Sequence, residues 1–294
     1  MQVPSHVEYE RATSVEHALA LLGRPDHRVL AGGHSLIPMM KLRLAQPGVL
    51  VDINGLAELA YIKEHGGQLR IGALARHADL LDSATAGRHY PIFHDAERVV
   101  ADPIVRLWGS VGGSLCQADP SEDLSAVFAA VRAIAVIRGR DGDREVSVRE
   151  FHLGPYETVI GPGELMAEIR VPIIPGTGSA YEKVARRVGD WSVAAAGAVV
   201  QLGKGTVKQA GIGLTAVSAE HFVAAEAEDF LRGKPATEEN FAEAAKIAAK
   251  HCHPIPDQRG PEDYKRHLVA ELTTRALRRA AGRAAARAAR RAKT

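Results

Sequence analysis

The sequence predicts an α+β protein of three successive regions, and three observations carry the prediction. Residues 1–56 order themselves as helix, strand, glycine turn, helix and strand; residues 57–176 hold short strands, a hairpin signal and glycine-punctuated loops; residues 177–294 hold two long apolar strands and then three helical segments. A chain of 294 residues with 46% hydrophobic side chains fills two or three cores and has the composition of an ordinary globular protein.

In the first region, Thr13-Ser14-Val15-Glu16 has capping-box spacing, with Thr13 as N-cap and Glu16 as N3, and opens a helix through Leu22 that Gly23 closes. A strand over residues 28–31 runs into Gly32-Gly33-His34-Ser35. A helix over 36–44 follows, and a second strand over 49–53 comes after Pro47-Gly48. In the second region, residues 69–73 read as a strand and 77–81 as a helix, with loop from there to Ser114. Asp119-Pro120-Ser121-Glu122 then supplies an N-cap, an N1 proline and an N3 acid for a helix to Arg132. Residues 133–138 and 145–148 flank Asp141-Gly142 as a hairpin, 166–171 is a further strand, and Pro172, Pro175, Gly176 and Gly178 mark a linker. In the third region, strands over 193–201 and 206–217 are joined by Gly203-Lys204-Gly205. Helices over 219–232, 237–251 and from 261 onward follow.

Composition narrows the function. No run approaches the roughly 20 apolar residues of a membrane span, and the N-terminal residues lack an apolar signal region, so the expected compartment is the cytoplasm. Cys116 and Cys252 are too few for a disulfide framework or for a four-thiolate iron–sulfur cluster. The net charge of +2 conceals an asymmetry: the last twenty residues carry eight basic side chains and no acid, which leaves residues 1–274 at −6. That body offers no electrostatic attraction to nucleic acid. The Ala/Arg-rich tail reads as a helix with a solvated basic face or as a docking element for an acidic partner.

Two glycine pairs are the candidate functional motifs. Gly32-Gly33 sits in a strand-to-helix turn, where missing Cβ atoms and free N–H groups suit a phosphate; an ordinary tight turn is the plain alternative. Gly112-Gly113 repeats the arrangement about eighty residues later, with close backbone packing as its plain alternative. His251-Cys252-His253 has ligand-type residues but no second group at zinc spacing, and reads as a helix end.

Residues 31–45 (AGGHSLIPMMKLRLA), 110–124 (SVGGSLCQADPSEDL) and 181–191 (YEKVARRVGDW) resemble the FAD-binding medium subunits of the xanthine dehydrogenase family of molybdenum hydroxylases, most of all its carbon monoxide dehydrogenase branch. The resemblance implies a three-domain FAD-binding fold of the vanillyl-alcohol-oxidase (PCMH) type, with domains over 1–56, 57–176 and 177–294. It also implies non-covalent FAD, a small partner with two [2Fe–2S] clusters, a large partner with the molybdenum cofactor, and a dimer of heterotrimers. Electrons then reach FAD from the clusters and leave to an external acceptor, a quinone or other carrier; the complex is cytoplasmic or peripheral at the inner face of the membrane. A partner that carries the clusters agrees with the cysteine count.

The same resemblance implies cofactor-binding roles and no catalytic residue in this chain. Ala31, Gly32, Gly33, His34 and Ser35 match a loop whose N–H groups and hydroxyl bind pyrophosphate. Ser110, Val111, Gly112, Gly113 and Ser114 match a loop near the ribityl chain and phosphates, where many relatives have Thr-Ile-Gly-Gly-Asn, so backbone contacts outrank any contact of the shorter Ser114. Asp123 matches a ribityl-hydroxyl acceptor, or is an acid at a helix N-terminus. Lys183 matches a cation beside the flavin, or is a solvated strand lysine. Trp191 covers the isoalloxazine or is a buried anchor, and Cys116 is a packing residue. The competing functions are the same subunit in an aldehyde or N-heterocycle hydroxylase, a self-contained FAD oxidase, and a scaffold without FAD.

Overall fold

The computed structural model describes residues 3–218 and 220–291. Ala219, expected to start a helix, and Lys293 of the basic tail lie outside the described residues.

The first region comprises β1 (Glu8–Arg11), α1 (Val15–Leu22), β2 (His27–Leu30), α2 (Leu36–Lys41) and β3 (Val49–Asp52), with the strands in a parallel sheet of order β1-β3-β2. α1 starts one residue later than the capping-box reading. Ser14, in extended backbone, is the N-cap and its Oγ accepts the His17 N–H at 3.1 Å, while the Thr13 hydroxyl faces His17 Nδ1. α1 buries Val15, Ala18, Leu19, Leu21 and Leu22 against Val51 and Ile53, and against Leu165 and Ala167 of the neighbouring sheet.

The second region comprises β4 (Ile62–His65), β5 (Gln68–Gly72), α3 (His77–Asp82), α4 (Ala84–His89), α5 (Ile92–Glu97), α6 (Pro103–Trp108), α7 (Val111–Gln117), α8 (Asp123–Ala130), β6 (Ile134–Gly139), β7 (Gly142–Ser147), α9 (Val148–Phe151), β8 (His152–Gly154), β9 (Glu157–Thr158) and β10 (Leu165–Pro172). Its five-stranded antiparallel sheet has the order β4-β5-β10-β6-β7. The expected loop up to Ser114 is instead four short helices. Their caps are present in the sequence, with Ser83 Oγ accepting Ala86 N–H, Asp102 Oδ1 accepting Val105 N–H and Ser110 Oγ accepting Gly113 N–H. Six or seven residues are too few to show a helical period. α8 also starts later than expected: Glu122, not Asp119, is its cap, with its carboxylate accepting the N–H groups of Leu124 and Ser125.

The third region comprises β11 (Thr177–Ala185), β12 (Ser192–Gly203), β13 (Thr206–Thr215), α10 (Ala225–Leu231), α11 (Glu238–Lys250) and α12 (Glu262–Arg291). The antiparallel sheet β11-β12-β13 is covered on both faces. Along β12, Ala195 and Val199 face the core of the second region, while Ala194, Ala196, Ala198 and Val200 face α11 and α12. This explains the unbroken apolar run. Gly211 and Gly213 let α8 lie directly on β13: a Cβ at either would strike the carbonyl of Ala130 or Ala126.

Arg279, Arg283 and Arg287 of the basic tail do not form a solvated face, whereas Arg275 and Arg278 stay exposed and pair with the exposed Glu271 and Glu238. Arg283 donates to Asp95 at 2.6 and 3.1 Å and to the Ser179 carbonyl, Arg279 donates to Asp95 and Glu182, and Arg287 donates to the carbonyls of His89 and Thr177. The acidic docking partner lies within the chain. Asp95 and Glu182 are far from the tail in sequence and form no visible cluster there.

Candidate functional site

A cleft of about 710 Å³ opens where the three sheets meet. The β2–α2 turn, residues 160–166, residues 100–102, the α6–α7 turn, Lys183 and Trp191 line it. Every cofactor-binding residue expected from the sequence borders it except Val111.

The β2–α2 turn is shaped by its two glycines for different reasons. Gly33 has φ +74°, a conformation that reverses the chain cheaply only without a Cβ. Gly32 lies under α6: a Cβ there would strike the Trp108 carbonyl and sit 2.8 Å from Gly109 Cα. The first loop therefore touches the turn that begins the second. Arg76 fastens them, donating to the Trp108 carbonyl at 2.5 Å and to Asn54 Oδ1 at 2.7 Å, while Asn54 Nδ2 donates to the Ala31 carbonyl at 2.7 Å. Among the described residues, the N–H groups of Gly32, Gly33, His34 and Ser35 find no acceptor within the chain. The Ser35 hydroxyl caps nothing, and His34 Nδ1 lies 2.9 Å from the Gly32 carbonyl. Four consecutive free N–H donors beside a cleft form an anion-binding concavity.

The second loop differs. Val111 N–H donates to the Ala75 carbonyl, Gly112 N–H to the Ala73 carbonyl, Gly113 N–H to Ser110 Oγ and Ser114 N–H to the Ser110 carbonyl. A Cβ on Gly112 would be 2.8 Å from the Ala73 carbonyl oxygen, so this glycine permits close packing of α7 on the end of β5. Free backbone donors therefore run through the first loop, whereas those of Val111, Gly112, Gly113 and Ser114 in the second are taken within the chain, where the backbone forms a tightly bent wall. The Ser114 hydroxyl donates to Glu122 at 2.7 Å.

Asp123 and Lys183 meet at the cleft. Lys183 Nζ donates to Asp123 Oδ2 at 2.7 Å and to the Val99 carbonyl at 3.2 Å; Asp123 Oδ1 accepts from the Tyr181 hydroxyl at 2.6 Å and the Ser192 hydroxyl at 2.8 Å. Both charges are buried, so Lys183 is not a solvated strand lysine and Asp123 does more than complement a helix dipole. Burial, and then the Asp123 charge, hold the Tyr181 phenol well above its usual range. Trp191 is 44% exposed at the cleft edge, which overturns the buried-anchor alternative. Burial pushes the Cys116 thiol up to about 12, as befits a packing residue and not a nucleophile.

Sequence reasoning missed several groups at this site. His77 lines the cleft and is paired with the fully buried Glu97; Glu97 belongs to a helix that was read as loop. Glu122 reads from the sequence as an ordinary first-turn acid, yet burial raises its carboxyl above the usual range. Tyr181 and Ser192 complete the Asp123 cluster from two adjacent strands, a pairing that only the sheet register reveals. His251 and Cys252 do not share a site: His251 Nδ1 faces Glu226 at 3.3 Å, whereas Cys252 is buried with its thiol donating to the Ala249 carbonyl.

Comparison with known proteins adds an independent view. Residues 5–174 match the family described as the FAD binding domain in molybdopterin dehydrogenase, and residues 179–280 match the CO dehydrogenase flavoprotein C-terminal domain. The chain is 41% identical over 278 residues to the carbon monoxide dehydrogenase medium chain of Hydrogenophaga pseudoflava, covering 94% of this chain and 97% of that one. It is 35% identical over 276 residues to the glyceraldehyde dehydrogenase medium chain of Sulfolobus acidocaldarius, covering 94% and 98%. A solved structure of the Hydrogenophaga pseudoflava carbon monoxide dehydrogenase superposes with a TM-score of 0.92 at 42% identity, covering 96% of this chain and 99% of that one.

Proposed function

The chain belongs to the family of FAD-binding medium subunits of molybdenum hydroxylases, and from that premise we propose that it is the FAD-carrying electron-transfer subunit of an aerobic, molybdenum-containing carbon monoxide dehydrogenase. The observation that carries the reading is the run of four unpaired N–H donors at Gly32, Gly33, His34 and Ser35, set on the wall of a cleft of about 710 Å³. The residues fit the cofactor. Ala31 holds the loop through Asn54, and the free N–H groups and the Ser35 hydroxyl bind the pyrophosphate. Ser110, Gly112, Gly113 and Ser114 form the wall beside the ribityl chain, with Val111 anchoring that wall from the core. Asp123 and Lys183 present polar groups to the ribityl and pyrimidine side, and Trp191 packs on the isoalloxazine. Bound FAD exchanges electrons singly or in pairs, which lets one-electron clusters feed a two-electron acceptor.

The same reading gives the chain three units over 1–56, 57–176 and 177–294 and places it in a cytoplasmic dimer of heterotrimers. A small partner brings the [2Fe–2S] clusters and a large one the molybdenum cofactor, with a quinone-type carrier reached at the inner face of the membrane. FAD is held non-covalently in this reading. A second reading, the same subunit serving an aldehyde hydroxylase, is favoured by the 35% identity to the glyceraldehyde dehydrogenase chain. Isolation of the native complex decides between them. The expected result is flavin, iron–sulfur and molybdenum signals together, flavin bleaching by carbon monoxide, and release of all flavin on acid precipitation. Bleaching by aldehydes alone selects the second reading, and flavin turnover by the isolated chain overturns both.

A further inference from the structure

His77 and Glu97 form a buried ionisable pair that the FAD reading leaves without a role. His77 is the first residue of α3 and Glu97 the last of α5, and Nδ1 of the imidazole lies 2.9 and 3.1 Å from the two carboxylate oxygens. Glu97 is 0% exposed, whereas His77 reaches the cleft. Its ring edge packs on the α6–α7 turn, where a Cβ on Gly109 would be 2.9 Å from Cδ2 and 3.3 Å from Nε2. Nε2 makes no hydrogen bond among the described residues. The pair therefore turns its cationic end to the cleft and keeps its anionic end in the protein.

The surrounding charges do not cancel this field. Burial raises the Glu97 carboxyl, and the His77 charge and hydrogen bond oppose that rise together with Arg106 on α6, which donates to the carbonyls of Val100 and Ala101. Asp123 at the start of α8 is neutralised by Lys183 of β11, and burial holds the neighbouring Glu122 carboxyl above its usual range. Burial alone pushes the His77 imidazole down, but the Glu97 charge and hydrogen bond outweigh it, with Glu122 and Asp123 adding to the same sense, so its pKa is raised.

Resting on the FAD reading above, we propose that His77, clamped by Glu97, is a fixed cation lining the cleft on the same side as Asp123 and Lys183, and that it favours the reduced cofactor over the oxidised one. It is a positioning charge and not an acid or base in a reaction. A cation held near the ring strengthens binding of the more negative state, and the ratio of the two affinities is read directly as a midpoint potential.

The test uses the full chain with FAD bound. Spectroelectrochemical titration of His77→Gln is expected to show about a tenfold loss in preference for reduced cofactor, which is about 30 mV for a two-electron couple. His77→Lys, which keeps the charge, restores most of it. A His77→Gln chain that holds FAD at an unchanged potential overturns the proposal. Should the variants fail to fold, nitrogen-15 histidine spectra of the unmodified chain decide: His77 is expected as an imidazolium at pH 7.5, and a neutral ring there overturns the proposal equally. If the unmodified chain itself binds no FAD, the parent reading fails and takes this one with it.

Discussion

Lys183 Nζ sits 2.7 Å from Asp123 Oδ2, and with the Tyr181 hydroxyl it joins the middle of β11 to the start of α8 at the cleft. The two partners are not equivalent. Asp123 keeps the Tyr181 and Ser192 hydroxyls if Lys183 is removed, whereas Lys183 keeps only the Val99 carbonyl if Asp123 is removed.

Removing one member of a buried pair costs about 3–5 kcal/mol because the other charge stays unpaired. Asp123→Leu is therefore expected at the upper end of that range and Lys183→Met at the lower end. Urea unfolding of both variants measures the difference. Equal costs, or a greater cost for Lys183→Met, contradict the asymmetry.

Gly32 and Gly282 make a matched contrast. A Cβ on Gly32 meets backbone of Trp108 and Gly109, which cannot swing aside, while a Cβ on Gly282 within α12 meets nothing within 4 Å. Gly32→Ala is expected to lose about 1–3 kcal/mol through overpacking and to weaken FAD binding, because the two loops are forced apart. Gly282→Ala is expected to gain roughly 0.5–1 kcal/mol from helix propensity alone. Thermal melts with and without FAD read both. A Gly32→Ala chain with native affinity would remove the close-approach role of this glycine.

Much of this arrangement is legible in the sequence, and what is not has identifiable causes. Strands β2, β3, β6, β12 and β13 announce themselves through apolar runs bounded by glycine or proline, and the paired glycine motifs locate both cleft loops. The helices α4 to α6 escape notice because each holds only six residues, and with them go Glu97 and Asp95. The purpose of Gly112 is also hidden. The same Gly-Gly pair serves free donors in one loop and close packing in the other, and only the neighbours Ala73 and Trp108 distinguish them. The pairing of Tyr181 and Ser192 with Asp123 depends on the register of β11 against β12, which periodicity does not fix.

The arginines of α12 divide by what they touch. Arg283 meets buried Asp95 and the Ser179 carbonyl, while Arg275 meets only exposed Glu271 on its own helix. Arg283→Ala is expected to cost about 1–3 kcal/mol and to raise hydrogen exchange along the end of α12, since Asp95 loses its nearest donor. Arg275→Ala is expected to cost about 0.5 kcal/mol or less. Calorimetry and exchange mass spectrometry on the two variants check the ranking; equal effects would mean the tail is held by its apolar face alone.

His152 is expected to weaken the fold in acid. Its ring lies between Phe151 and Phe222, its Nε2 faces the Leu115 carbonyl at 3.1 Å and Ser125 Oγ at 3.2 Å, and Nδ1 is buried without a partner. Burial drives its pKa from the ordinary 6.5 down to about 4. The folded chain therefore keeps this ring neutral while the unfolded chain takes up a proton, so stability falls as pH drops from about 6.5 to 4 and the loss is complete below that window. The contribution is on the order of 3 kcal/mol. His152→Phe, which fills the same aromatic slot without a titrating group, is expected to flatten the pH dependence across this window while costing stability at pH 7. Guanidinium unfolding at pH 7, 5.5 and 4.5 supplies the comparison, and an unchanged slope in the variant would assign the acid lability to other groups.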